Sequence, residues 1–473
     1  MTSTPNADRL PWHHKLSYGV ADLGFSITGT LIGAYFLVYL IKVVGLGAGL
    51  AGLAIGLARQ WDWINDPIVG YISDRTKSRW GRRRPFLLFG FIPFGILFTL
   101  LWWKAPIATT QQGLMAIYYA GMFMFYDTVA TFTYMPYFAL TPALTKDYDE
   151  RTSLTAYRMA FSIVGGLIAF VVPSLIISSF LPPNADIYMP ANAKLFLLNG
   201  TIFAVISAFA LLITFLGTRE RPELERTVQP SFRDSLLAAL KNRPFLFSMG
   251  IYLFTWSAVD VLSSTLILYI TDYLKLDSIF TSIIFGAVFA TALVFLPFWS
   301  WISRRFNKRL AYIFGIAFWA ICQIILMLIL PTVSTVVIVV LCCLAGIGVS
   351  AAHVLPWAII PDAVEWDELQ TGQRHEGMFY SLVMLAQKAS SGLAIIAVGA
   401  VLEWSGYKAG LSVQPPNALL AIRTVSGGIP AILLVCGIIF AAIYPIGREA
   451  HQQILAQLAA RKAQRDGTDS AAK

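Results

Sequence analysis

Charge is scarce in this chain. Only 13% of its 473 residues are Asp, Glu, Lys or Arg, against 57% hydrophobic, where soluble domains carry about a quarter charged residues. That shortage excludes an ordinary soluble domain. Cysteine is rarer still. Cys322, Cys342, Cys343 and Cys436 all fall inside apolar runs and form no CxxC pair, so they read as small packing residues and not as a disulfide framework or thiolate metal site. The sequence also lacks a phosphate-binding glycine loop, a cluster of metal ligands and a nucleophile elbow. No enzyme and no cofactor is therefore expected. The first apolar block has no small-residue cleavage site after it, so it is expected to remain as a helix.

What the chain does have is long apolar blocks, each near the roughly 20 residues needed to span a bilayer. Twelve are visible: 16–43, 48–72, 85–104, 112–140, 153–182, 193–217, 243–273, 277–303, 308–331, 332–361, 376–404 and 425–447. Their unbroken character points to helices, since barrel strands alternate. The longest polar interruption, 217–243, splits them six and six. The expected domains are an N-terminal segment 1–15, a bundle 16–217, a central loop 218–242, a second bundle 243–447 and a basic tail 448–473. The halves echo each other. "SDRTKSRWGRRRP" after the second block has a weaker counterpart, "SRRFNKR", after the eighth, and "MPYFALTPALTKDYDERT" parallels "LPWAIIPDAVEWDELQTGQR". Repeated six-helix halves are the plan of a secondary transporter. The expected fold is an all-α integral membrane protein, twelve transmembrane helices in two pseudo-symmetric bundles.

A net charge of +9 would suggest nucleic acid in a soluble protein, but here the charge is sorted by loop. Arg75, Lys77, Arg79, Arg82, Arg83 and Arg84 crowd one loop, and Arg304, Arg305, Lys308 and Arg309 another, while the alternate loops hold scattered lysines such as Lys104, Lys194 and Lys275. The basic loops belong on the cytoplasmic side, with both termini inside. The expected setting is a bacterial inner membrane, with lipid as neighbour, no nucleic acid and a monomer. In the tail, Ile454, Leu455 and Leu458 form a modest apolar stripe on a cytoplasmic or interfacial helix.

Ionisable side chains inside apolar blocks are functional candidates by default. They are Asp22, Arg59, Asp62, Asp66, Asp127, Arg158, Asp260 and Lys388. In "WDWINDPIVG", Asp62 and Asp66 are four apart, with Asn65 three from Asp62, so all three share a helix face. Their oxygens suit a small hard cation, sodium included. Pro67 has no N–H, which releases the carbonyl of Trp63. Two close carboxylates cannot both stay ionised cheaply without a cation. Arg59 or Lys388 is the basic group such a pair would exchange for an ion or proton, the mechanism of a symporter. In the arginine loop, Gly70, Asp74, Arg75, Gly81 and Arg82 suggest close packing and a salt bridge able to act as a cytoplasmic latch.

"GYISDR…GRRR" resembles the loop signature of the major facilitator superfamily, with extra residues between Arg75 and Gly81. "LSYGVADLG", "RQWDWINDPIVGYISDRTKSRWGRRRPF", "DYDERTSLTAYR" and "GQRHEGMFYS" are similar to one branch, the glycoside–pentoside–hexuronide cation symporters typified by melibiose permease, over about residues 15–445. The resemblance implies a cation site of Asp62, Asn65, Asp66 and Thr131, with Lys388 close by and Arg158 at the sugar pocket. It implies sodium, proton or lithium coupling.

The pocket departs from that pattern. Phe25 and Ser26 stand where a Lys–Asp pair is expected, Tyr134 and Phe138 replace the sugar-binding aspartate and its following aromatic, and His353 replaces a tryptophan. Asp22 and Asp127 lie one turn away and are candidate substitutes. The expected substrate groups are Asp22, Ser26, Asp127, Tyr134, Phe138, Arg158, His353 and Trp357, with Tyr35 as a further aromatic. The first expectation is import of a sugar, glycoside or uronide by alternating access. Animal lysolipid–sodium symporters share the cation motif, so a lysolipid or another amphiphilic or anionic solute is the alternative. A non-transporting sensor on the same fold comes third.

Overall fold

Each of the twelve apolar blocks becomes a helix or a helical run in the computed structural model, which describes residues 10–145, 148–182, 185–220, 232–373, 375–411 and 413–471. In chain order the helices are α1 (Trp12–Leu31), α2 (Ala48–Gln60), α3 (Asp62–Arg75), α4 (Arg84–Leu101), α5 (Gln112–Phe138), α6 (Thr141–Leu144), α7 (Tyr148–Ser179), α8 (Ala193–Gly217) and α9 (Phe232–Lys241). The chain continues with α10 (Arg243–Leu268), α11 (Ser278–Arg305), α12 (Lys308–Leu328), α13 (Thr335–Thr371) and α14 (Glu376–Trp404). It ends with α15 (Pro416–Arg423), α16 (Ile429–Ile443) and α17 (Arg448–Ala471). No strand occurs among the described residues.

Nine of these runs are long and apolar enough to cross a membrane by length and composition, among the described residues. The other three blocks are helical but more polar or interrupted. The first carries His13, His14, Lys15 and Asp22 on α1 and continues through π-helical turns Ile32–Phe36 and Tyr39–Val44. The second breaks at Trp61 into α2 and α3. The fourth, α5, is rich in tyrosine and threonine. One boundary differs from expectation. The tenth helix does not stop at Pro361 but runs through Pro356 and Pro361 to Thr371, where Gly372 takes a left-handed φ of 71°. Neighbouring groups in a helical membrane protein can satisfy the carbonyls a proline frees.

Packing divides the chain into two compact units. One comprises Met1–Thr227, Ser263–Gly286 and Gly392–Ile422; the other comprises Val228–Leu262, Ala287–Ser391 and Arg423–Lys473. Small residues set the closest approaches in the first. A Cβ on Gly165 would lie 2.7 Å from the Leu23 carbonyl oxygen, joining α7 to α1. A Cβ on Gly52 would lie 2.7 Å from the Ile395 carbonyl oxygen, and one on Gly399 would lie 2.6 Å from that of Ala48. Backbone-to-backbone contact through glycine is the usual basis of helix association where lipid removes the hydrophobic drive. In the second unit, Trp299, Tyr312, Trp319, Leu355 and Leu434 form a buried core. The tail helix α17 joins that core through Ile454, with Leu458 beside it, whereas Leu455 is exposed.

Candidate functional site

The polar face of α3 turns inward. Asp62 and Asn65 are each 3% exposed, while Trp63, Ile64 and Ile68 on the other side are about half exposed. The expected helical spacing therefore holds, apolar out and carboxylate in. Thr131, also buried, comes from α5 and donates from Oγ1 to Asp66 Oδ1 at 3.3 Å. The break between α2 and α3 is pinned to the same helix, because the Trp61 indole N–H donates to Thr128 Oγ1 at 2.9 Å. The Asn65 amide nitrogen is buried without a hydrogen-bond partner, an unspent capacity that a polar occupant would satisfy. Asp62, Asn65 and Asp66 thus share the inward side of α3, and Thr131 of α5 reaches Asp66. Arg59 ends α2 one turn earlier and is half-buried, and Asp127 is half-buried on α5 one turn before Thr131.

A second constellation joins α1, α5 and α7. Arg158 donates from Nε to Asp22 Oδ2 at 2.6 Å, and both are buried. Tyr137 donates to the same oxygen at 3.1 Å, and its neighbour Tyr18 meets Thr141 through their hydroxyls. The Arg158 guanidinium lies 3.8 Å from the centre of the Phe138 ring, a cation–π contact in a desolvated place. Phe138 abuts Tyr134 at 4.1 Å between ring centres, and Tyr134 meets Phe25 edge-on at 5.1 Å. Arg158 Nη2 is buried and has no hydrogen-bond partner. The constellation is an aromatic wall with one guanidinium donor pair to spare.

Two expected substrate groups are committed elsewhere. The Ser26 hydroxyl donates to the Ser162 carbonyl at 2.6 Å, and the side chain sits in the close α1–α7 contact beside Gly165 and Gly166. It therefore holds helices together. Tyr35 donates to the Phe170 carbonyl at 2.6 Å and is 2% exposed, which makes it a packing residue.

The remaining candidates belong to the second unit. His353 bonds through Nδ1 to the Val349 carbonyl at 2.8 Å and packs its ring edge-on against Trp256. Trp357 lies between Tyr252 and Tyr380, 4.9 and 6.1 Å from their ring centres. Asp260 on α10 and Lys388 on α14 are half-buried there.

The arginine loop is organised by an acid the sequence reading did not single out. Glu220 accepts from the backbone N–H groups of Arg82, Arg83 and Arg84, each at 2.8 Å. Three consecutive amides cradling a carboxylate form an anion nest. Gly81 makes the approach possible: its φ is +107°, and a Cβ there would lie 2.5 Å from Glu220 Cδ. Arg84 adds a bond to the Phe215 carbonyl at 2.7 Å. Gly70 meets nothing within 4 Å, so close packing is not its role. Arg75 is exposed and turns onto Tyr71 of its own helix. The Asp74 side chain lies outside the described residues.

Sequence reasoning also missed a buried ion pair. Lys42, at the end of the first helical run, contacts Asp272 in the π-helical turn Tyr269–Tyr273, and both are 8% exposed. Thr271 accepts from Lys42 at 2.9 Å and donates to Asp272 at 2.9 Å, and Tyr407 donates to Asp272 Oδ2 at 2.6 Å. Burial, reinforced by the Asp272 charge, pushes the Tyr407 phenol far above its ordinary range and keeps it a donor. The signal was present, a single charge near the end of each of two apolar blocks, in "YLIKVV" and "YITDYL".

These features define an all-α membrane protein. Residues 17–448 match the family described as MFS/sugar transport protein, and the chain belongs to that family. A curated relative, an uncharacterized symporter of Synechocystis sp., is 34% identical over 98% of this chain and 99% of its own length. The sodium-dependent lysophosphatidylcholine symporter 1-A of Danio rerio is 28% identical over 93% of this chain and 86% of its own. Among solved structures, a D-xylose-proton symporter superposes with a TM-score of 0.65 at 14% identity, covering 92% of this chain and 98% of that one. That likeness concerns the fold, the major facilitator fold. Family membership makes the chain a transporter of the MFS/sugar transport type.

Proposed function

We propose that the coupling ion is sodium and that the substrate is an amphiphile with an anionic head group, of the lysophospholipid kind. The observation that carries the substrate reading is the spare guanidinium nitrogen of Arg158, buried against Phe138, from which the aromatic wall continues through Tyr134 to Phe25. Phosphate, like carboxylate, pairs with a guanidinium through strong charge-assisted bonds, and an aromatic wall suits an apolar chain. A neutral sugar needs carboxylate anchors for its hydroxyls. Asp22, the carboxylate in this cluster, already accepts from Arg158 and Tyr137, and Ser26 is spent on helix packing. The likeness to a lysophosphatidylcholine symporter supports the same reading.

In this reading the cation lies among Asp62, Asn65, Asp66 and Thr131 and offsets the repulsion between two carboxylates one turn apart. Six-helix halves, 16–217 and 243–447, alternate access in a bacterial inner membrane with both termini in the cytoplasm. Arg59 and Lys388 are the basic groups this reading assigns to coupling. The test is uptake into proteoliposomes of a labelled lysophospholipid, a uronate and melibiose, with and without an inward sodium gradient. Sodium-driven lysophospholipid uptake, reduced at least tenfold in Arg158→Ala, is the expected result. Melibiose uptake with no lysophospholipid uptake would overturn the substrate reading, and uptake indifferent to sodium would overturn the ion.

A further inference from the structure

We propose that Asp362, Glu365 and His451 form a site for a divalent transition metal, with zinc as the probe, that pins the tail helix α17 to α13. Asp362 and Glu365 are three apart and share a face of the last turns of α13. His451, from the first turn of α17, brings Nε2 to 2.6 Å from Glu365 Oε2 and 3.4 Å from Asp362 Oδ1. One donor atom from each residue lies within 4.8 Å of the other two. An imidazole with two carboxylates is a donor set zinc accepts, at about 2.0–2.2 Å per ligand. Tetrahedral ligands at that radius stand about 3.4 Å apart. The His451–Asp362 separation already fits, and the His451–Glu365 pair has to open by less than about 1 Å. Both of its side chains are roughly a fifth exposed and free to do so.

A second observation points to the same place. The Tyr444 hydroxyl is buried and has no hydrogen-bond partner, and the residue is tied to the same corner, since its carbonyl accepts from Arg309, next to the Lys308 that pairs with Asp362. A buried hydroxyl with a bond left to make suits a water held on the metal. The competing cation is Lys308, whose Nζ lies 2.6 Å from Asp362 Oδ1. Its side chain is 34% exposed, against 6% for Asp362, so the ammonium can swing to water when a metal arrives. The helix to be pinned is already laid in place. Ile454 is buried in the core, Arg448 donates to the carbonyls of Arg305 and Phe306, and Arg461 donates to that of Leu369.

The experiment uses the full chain in detergent, purified without a polyhistidine tag, stripped with EDTA and passed through gel filtration after addition of zinc. His13 and His14, whose rings stand 4.6 Å apart, are replaced by alanine in the parent to remove a competing site. Bound zinc is counted by mass spectrometry and the thermal unfolding midpoint is recorded. The parent should retain one equivalent and unfold at a higher temperature with zinc than without. His451→Ala should lose both effects while its zinc-free midpoint stays near that of the parent. Should His451→Ala fail to fold, Glu365→Gln should weaken zinc retention at least tenfold. A parent that retains no zinc would overturn the site, as would variants that retain it as the parent does.

Discussion

Removing one partner of the Lys42–Asp272 pair should be costly, and removing both should be cheaper than the sum. At a contact of about 3 Å and an effective dielectric near 20, attraction between two unit charges is roughly 5 kcal/mol. Loss of one partner of a buried pair typically costs about 3–5 kcal/mol, because the survivor stays buried and uncompensated. The surroundings predict an asymmetry. In Lys42→Met, Asp272 keeps donors from Thr271 and Tyr407. In Asp272→Asn, Lys42 keeps the Thr271 hydroxyl and the Tyr188 ring, 5.7 Å from its Nζ. Asp272→Asn leaves the ammonium with the poorer set and should be the more destabilising change. The double variant removes both charges, and a coupling energy of about 1–3 kcal/mol should appear in the cycle. Equilibrium unfolding by SDS in mixed micelles, followed by tryptophan fluorescence, measures all four proteins. Additive losses, or singles indistinguishable from the parent, would refute the claim that the pair ties the first helical run to the turn at 269–273.

Asp66→Asn should abolish sodium-driven accumulation with expression nearly intact; accumulation against a gradient in that variant would remove Asp66 from the cation site. Gly81→Ala should expel Glu220 from its nest, given the positive φ and the 2.5 Å approach, and speed trypsin cleavage between 76 and 84. An unchanged cleavage rate would deny the nest its role. Arg75→Ala should alter stability by less than about 0.5 kcal/mol, because the exposed arginine bonds a tyrosine of its own helix; a large loss would restore it as a latch.

The legible parts of the chain were those written in local spacing. Twelve apolar runs gave twelve helical runs because spanning length is a property of consecutive residues. The inward face of α3 followed from offsets of three and four between Asp62, Asn65 and Asp66. Pairings over a hundred residues or more were not legible. Glu220 reaches Arg82 across 138 positions, and Lys42 reaches Asp272 across 230. Nothing in either stretch names its partner. Pro361 misled for a different reason: local rules end a helix near proline, whereas a packed neighbourhood lets α13 continue for ten more residues.

The same distinction separates the two parts of the proposed transport site. The proposed cation site has three of its four groups on one helix, so it can be read from its motif, since those three share a face whatever surrounds them. A substrate site is defined by what its polar groups have left after pairing with one another. Asp22 and Arg158 both looked like anchors in the sequence, yet the structure joins them, so the carboxylate is largely consumed and one guanidinium nitrogen survives. Ser26 occupies an expected sugar-binding position and is lost to a backbone carbonyl. A list of residue types at the pocket therefore favours a sugar, while a list of unspent donors favours an anion. The proposed reading rests on the second list, because a buried donor left without a partner carries a penalty that an acceptor on the ligand relieves. It predicts that Asp22→Asn, by loosening Arg158, should tighten an anionic head group without creating affinity for melibiose; binding measured for both ligands in that variant would refute this if the order were reversed.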